Sequence, residues 1–257
     1  MDLMLQDKVA MVSGGSRGLG YHIARGLAEE GCRVALSARG EERLGQAVSE
    51  INALGGGRAA GFCGDMTQAG VPEKFLAHAL AQFGGVDILV NNAGASHPGS
   101  LLETTDELWR AAFDLNLLHA VRLCRLVIPE MKKRGGGAIL NVASIYGRET
   151  GGVMTYNASK AALISFSKAL AQQTAKDNIR VNSIAPGSIL FPGGGWERRV
   201  QAAPDGLKGF IDSDLPLGRF GRPEELAAAA VFMVSPRASL VHGACWNVDG
   251  GQSRSNV

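Results

Sequence analysis

Short apolar runs that alternate with longer helical patterns constrain this chain more than any other feature. Residues 8–13, 33–37, 58–63, 86–90, 138–143, 180–184 and 244–248 read as strands. Residues 18–30, 41–54, 71–83, 106–133, 156–176 and 223–234 read as helices, the last with Pro223 in its first turn. Strands joined by helical crossovers run parallel, and a parallel sheet is covered on both faces. The predicted class is therefore α/β: a single doubly wound domain over residues 1–257, with a central parallel sheet of about seven strands and helices on both faces. No shift in composition marks a second domain. Residues 187–217 break the pattern. They hold Phe191, Pro192, a glycine triplet, Trp196, Phe210 and Pro216, and read as an irregular substrate-binding loop or lid whose aromatics need an apolar partner.

Hydrophobic residues at 46% and charged residues at 19% suit a globular core. The 35 glycines cluster in turns, as tight connections would require. A net charge of +2 argues against nucleic acid or an anionic membrane as partner. No stretch is apolar enough to span a bilayer, and the first residues lack a signal-peptide pattern. Cys32, Cys63, Cys124 and Cys245 have no metal-ligand spacing, so buried free thiols in a reducing compartment and no metal site are expected. These readings place the chain in the cytoplasm.

A glycine-rich segment, Ser13-Gly14-Gly15-Ser16-Arg17-Gly18-Leu19-Gly20, follows the first strand and opens the first helix. Glycines let a backbone approach a pyrophosphate, and a helix N-terminus supplies N–H donors and positive potential. The second strand ends Leu36-Ser37-Ala38-Arg39, without the acid that would bond a ribose 2′-hydroxyl. Arg39 and Arg17 suit a 2′-phosphate instead, which favours NADP(H) over NAD(H).

Tyr156 and Lys160 stand four residues apart and share a helix face. Bringing a phenol from a pKa of about 10 to near 7 takes roughly 4 kcal/mol. An ammonium about 4 Å away at an effective dielectric near 20 supplies that order of energy. The pair suits general acid–base work on an alcohol or carbonyl oxygen.

With these motifs in order, the chain resembles the short-chain dehydrogenase/reductase family along nearly its whole length. The resemblance rests on the glycine turn, Asp65, Asn91-Asn92-Ala93-Gly94, Asn116, Ser144, the Tyr156/Lys160 pair, Ala185-Pro186-Gly187 and Val248-Asp249-Gly250-Gly251. It implies a Rossmann fold and hydride transfer to or from a nicotinamide dinucleotide. Tyr156 would be the acid or base, Ser144 would hold the reacting oxygen, and Lys160 would bind ribose hydroxyls and lower the Tyr156 pKa. Asn116 would anchor a water in a proton relay. Gly14, Ser16, Arg17, Gly18, Leu19, Gly20, Arg39, Asp65, Met66, Asn92, Ala93, Gly94, Pro186, Gly187 and Ile189, with Tyr156 and Lys160, would hold the cofactor. Two positions depart from the pattern. Ser13 replaces a threonine, and Phe191 stands where relatives often carry threonine.

Ala95, Ser96, His97, Ile145, Tyr146, Met154, Phe191 and Trp196, together with Phe210, are expected to line the substrate pocket. That set suggests a hydrophobic or aromatic ketone or secondary alcohol. Two alternatives stand beside it. One is a 3-oxoacyl-carrier-protein reductase, for which the basic run at 131–134 is the hint and Asp177 the objection. The other is an inactive cofactor-binding sensor or structural subunit, against which the intact Asn116, Ser144, Tyr156 and Lys160 argue. The resemblance also implies a homotetramer packed through the helices at 106–133 and 156–176.

Overall fold

The computed structural model describes residues 1–55, 59–96, 98–202 and 204–256. Arg58, expected to open the third strand, and His97, expected near the substrate, lie outside the described residues. Among the described residues, strands β1 (Val9–Ser13), β2 (Arg33–Ala38), β3 (Ala59–Cys63), β4 (Ile88–Asn91), β5 (Gly137–Val142), β6 (Ile179–Pro186) and β7 (Cys245–Val248) form one sheet. Its order is β3-β2-β1-β4-β5-β6-β7, and every pairing is parallel. The winding reverses between β1 and β4, and a crevice opens beyond their C-terminal ends.

The helices are α1 (Gly18–Glu29), α2 (Glu41–Asn52), α3 (Val71–Phe83), α4 (Asp106–Phe113), α5 (His119–Lys133), α6 (Met154–Thr174), α7 (Gly195–Ala202), α8 (Pro204–Asp214) and α9 (Pro223–Val234). They build an apolar layer on each side of the sheet. Ala10 and Val12 of β1 enter the layer containing α1, α2 and α9, while Met11 enters the layer containing α3, α5 and α6. Ile88 and Val90 of β4 alternate with Leu89 in the same way. Two-sided burial is why these strands read as continuous apolar runs.

The single helix expected over 106–133 is interrupted by a π-helical turn at Asp114–Leu118. Asn116 in that turn donates its amide to the Ala112 carbonyl at 2.9 Å. The segment 187–217 is also more regular than expected, since it carries α7 and α8. Its glycine triplet reads as a breaker but ends at Gly195, the first residue of α7, and Pro204 begins α8. Its aromatics find each other. Trp196 stacks on Phe210 with ring centroids 4.6 Å apart and packs on Phe220 at 5.1 Å. Cys32 and Cys124 are buried, whereas Cys63, on edge strand β3, is exposed and Cys245 half-buried.

Candidate active site

The glycine turn after β1 is held open by Asn92, after β4. Asn92 donates through Nδ2 to the Gly14 carbonyl at 3.0 Å and through its backbone N–H to Ser13 Oγ at 3.1 Å. Gly14 takes a φ of +68°, and a Cβ there would stand 3.1 Å from Ala93 Cα. At Gly20 a Cβ would lie 2.3 Å from the Gly14 carbonyl oxygen. Both positions therefore need glycine. Arg17 caps α1 without a side-chain hydrogen bond, so the first N–H groups of the helix remain available to an anion.

A cleft of about 640 Å³ runs along the C-terminal edge of the sheet. At the β2–β3 side it is lined by Ser37, Arg39, Arg43, Asp65 and Met66. Burial pushes the Asp65 carboxyl up, but two hydrogen bonds from Thr67 and the nearby Arg39 outweigh it and hold the pKa below the usual range. Arg39 Nη1 is 3.9 Å from Asp65 Oδ2 and stays largely exposed. The cleft then passes Gly14, Ser16, Arg17, Leu19, Asn92, Ala93 and Gly94 and reaches Ser144, Tyr156, Lys160, Pro186, Gly187 and Ile189. Gly18 and Gly20 lie beneath it and shape the turn.

At the far end, α6 lies on the sheet through a buried polar chain. Asn91 donates to Asn141 Oδ1 at 2.8 Å, and Asn141 donates to Ser167 Oγ at 2.7 Å. This chain fixes the rotation of α6 and so the direction of Tyr156 and Lys160. Lys160 is 3% exposed and donates to the Val142 carbonyl at 2.7 Å. Its Nζ lies 5.5 Å from the centre of the Tyr156 ring. Burial lowers the Lys160 pKa from its ordinary 10.5 to about 8. Burial pushes the Tyr156 phenol up to about 12, with Ser144 pulling weakly the other way. In the protein alone desolvation dominates both groups, with the ammonium over the ring and bonded to the Val142 carbonyl. Ser144 Oγ accepts from the Tyr146 N–H at 3.2 Å, which leaves its own hydrogen free to donate.

Asn116 is fully buried. Its amide hydrogens reach the Ala95 and Ala112 carbonyls, both at 2.9 Å, and its Oδ1 accepts from the Ala95 N–H at 3.1 Å. Asn116 thus braces the strand-end loop that carries Gly94, where an added Cβ would meet Asn116 Oδ1 at 2.8 Å and Lys160 Nζ at 3.3 Å.

Of the expected substrate residues, Ala95, Ser96, Phe191 and Trp196 line the cleft with Tyr156. Ile145 is buried, the Tyr146 ring packs on Gly151 and Gly152, and Met154 is exposed; none of the three lines it. Sequence reasoning missed Arg43, Leu115 and Arg198, which do line it. Arg43 stands in the first turn of α2, four residues beyond Arg39.

Comparison with known proteins agrees with this geometry. The family model described as enoyl-(acyl carrier protein) reductase matches residues 14–253. The chain is 37% identical to 3-oxoacyl-acyl-carrier-protein reductase FabG of Chlamydia muridarum, over 98% of this chain and 100% of that one. The chain belongs to the short-chain dehydrogenase/reductase family. This member is 36% identical to D-beta-hydroxybutyrate dehydrogenase of Cupriavidus necator, covering 96% of this chain and 98% of that one. L-sorbose reductase of Gluconobacter frateurii, solved with NADPH and L-sorbose, superposes with a TM-score of 0.94 at 39% identity, covering 99% of this chain and 100% of that one. The short-chain dehydrogenase/reductase is an NAD(P)-dependent oxidoreductase of CH–OH and C=O groups, built on a single Rossmann-type domain.

Proposed function

We propose that the protein interconverts a ketone and a secondary alcohol with NADP(H), on a hydrophobic or aromatic small molecule. One observation carries this reading: a single cleft joins Arg17, Arg39 and Arg43 at one end to Ser144, Tyr156 and Lys160 at the other. The residues fit a dinucleotide, because the glycine turn has no room for side chains and α1 leaves its first N–H groups uncapped. Asp65 and Met66 would hold the adenine, Arg17 and Arg39 the 2′-phosphate, and Lys160 the nicotinamide ribose. When bound, the cofactor supplies or accepts the hydride.

In reduction, Tyr156 Oη donates its proton to the carbonyl oxygen while Ser144 Oγ–H bonds the same oxygen. A phenol at about 12 is protonated at neutral pH, as a general acid must be. The Lys160 ammonium then opposes the negative charge left on the phenol. Asn116 acts as a positioning residue for the loop and lysine in this scheme. Residues 187–217 would serve as the cap over the site, and Trp196, packed on Phe210 and Phe220, gives the cleft an apolar wall.

A second reading, 3-oxoacyl-carrier-protein reductase, is favoured by relatives such as FabG. The basic run speaks against it. Lys132 pairs with Asp177 at 2.7 Å, Lys133 with Glu130 at 2.7 Å and Arg134 with Asp87 at 2.9 Å, so its cations are partnered within the chain.

The test is oxidation of NADPH and of NADH across aryl ketones, cyclic diketones, steroids, ketoses and a 3-oxoacyl thioester, with Tyr156→Phe as control. Faster turnover with NADPH on an apolar ketone, lost in the control, is expected. Turnover only of the thioester would move the reading to the second. Dinucleotide binding without turnover of any compound would favour a sensor.

A further inference from the structure

Between Ser144 and Tyr156 the chain leaves regular structure, and there Glu149 is tied in three directions. Its N–H donates to the Ile145 carbonyl at 3.0 Å, which fastens it to the turn that Ser144 begins. Its carbonyl accepts from Asn157 Nδ2 at 2.8 Å, on α6 beside Tyr156. Its carboxylate reaches the C-terminal residues. Oε2 accepts from Ser253 Oγ at 2.9 Å and from the Arg254 and Ser255 N–H groups at 2.8 and 2.9 Å. Successive backbone N–H groups turned toward one point form a nest for an anion. Hydrogen bonds to an ionised acceptor are roughly twice as strong as neutral ones.

The C-terminal residues are in turn fixed to the end of β6, on the other wall of the cleft. Gln252 Oε1 accepts from the Ser188 N–H at 2.7 Å, and Asp249 Oδ2 accepts from the Ser253 N–H at 2.9 Å. A Cβ on Gly187, which lines the cleft, would stand 2.6 Å from Asp249 Cβ and 2.7 Å from Gln252 Oε1. Arg148, one residue before Glu149, adds a link to β7 by donating to the Cys245 carbonyl at 2.7 Å.

We propose that Glu149 is a positioning residue, through which the C-terminal residues 252–255 set the separation of Ser144 and Tyr156. The proposal deepens the oxidoreductase reading and rests on it for its kinetic readout. Ser144 and Tyr156 stand on different elements, yet both must address one oxygen of the substrate. Glu149 lies outside the cleft lining and acts only through the backbone on either side of it. Misplacing a reacting group by about 1 Å can cost about a hundredfold in rate, so this tie governs turnover rather than binding.

The test is steady-state reduction of an aryl ketone with NADPH, beside fluorescence titration of the dinucleotide. Glu149→Ala should lower kcat by about tenfold to a hundredfold. Substrate KM and dinucleotide Kd should stay within about twofold, because no contact to either ligand is removed. The isotope effect with dinucleotide deuterated at the transferred position should rise as hydride transfer becomes the slow step. Glu149→Gln, which keeps an acceptor oxygen, should recover most of the rate. A chain ending at Gln252 should reproduce the Glu149→Ala loss. Unchanged kcat in both Glu149→Ala and the shortened chain would overturn the proposal. So would a loss that Glu149→Gln does not recover and that weakens dinucleotide binding as well, since that is general damage. If Glu149→Ala does not fold, the shortened chain and Ser253→Ala decide the matter by the same rates. If the unaltered protein reduces no ketone, the functional reading fails, and amide exchange still decides the coupling. The shortened chain should then exchange faster at Gly147, Arg148 and Glu149, and unchanged exchange there overturns the proposal by itself.

Discussion

Replacing Lys160 with methionine separates what the ammonium does for chemistry from what it costs the fold. Its charge lies 5.5 Å from the Tyr156 ring centre. Two unit charges about that far apart at an effective dielectric near 20 interact by about 3 kcal/mol, which sets the scale of what the ammonium can offer a phenolate formed during turnover. Removing the charge should therefore slow carbonyl reduction by about two orders of magnitude at saturating cofactor. The pH profile gives a second check. Lys160 keeps its charge below about 8 and loses it above, so the unaltered enzyme should lose reduction rate as pH rises through about 8. Lys160→Met should lack that limb.

Stability moves the other way. The lysine titrates near 10.5 when exposed and near 8 when buried, so between those values the unfolded chain binds more protons and stability rises with pH. Below about 8 the burial cost is present in full, roughly 3 kcal/mol. Lys160→Met should thus melt higher than the parent at pH 7, and the gap should close between pH 8 and 10.5. Steady-state reduction and thermal melts across pH measure both effects. Full activity in the variant, or a parent melting point that is flat across that window, would refute the burial reasoning.

Other substitutions probe the rest of the cleft. Tyr156→Phe should keep cofactor affinity and lose about a hundredfold or more in turnover, seen by comparing fluorescence titration with steady-state rates. Arg17→Ala with Arg39→Ala should weaken NADPH binding by at least about 1.5 kcal/mol and leave NADH binding nearly unchanged; equal losses in calorimetry would remove the 2′-phosphate assignment. Gly94→Ala places a methyl 2.8 Å from Asn116 Oδ1 and should lower turnover and the melting point together. Glu149 Oε2 accepts from Ser253 Oγ at 2.9 Å and from the Arg254 and Ser255 N–H groups at 2.8 and 2.9 Å, while Asn157, beside Tyr156, donates to the Glu149 carbonyl at 2.8 Å. Glu149→Ala should raise hydrogen exchange at 254–255, and Glu149→Gln, which retains an acceptor oxygen, should largely restore protection.

The strands were legible because burial on both faces forces apolar side chains at successive positions, and the order of the motifs along them gave the family. The interruption at Asn116 was not legible. A single π-helical turn shifts the register by too little for the apolar pattern of so long a run to show it. The helices α7 and α8 were hidden by glycine and proline that begin elements here rather than break them. Phe191 illustrates a deeper limit: its chemistry marks it as a pocket residue, but whether it faces Gly18 or the substrate depends on how the chain returns from β6.

The Tyr156/Lys160 pair shows where spacing stops being sufficient. Four residues on a helix predict proximity, and the 5.5 Å approach agrees. Spacing carries no information about desolvation. Burial acts on both partners in the direction of neutrality, raising the phenol to about 12 and lowering the ammonium to about 8. A pair so placed holds its proton on tyrosine until an oxygen with growing negative charge arrives to take it. Alcohol oxidation needs the phenolate, so its rate should rise with pH toward the phenol's value of about 12, while the equilibrium is set by substrate, dinucleotide and proton concentrations and not by these residues.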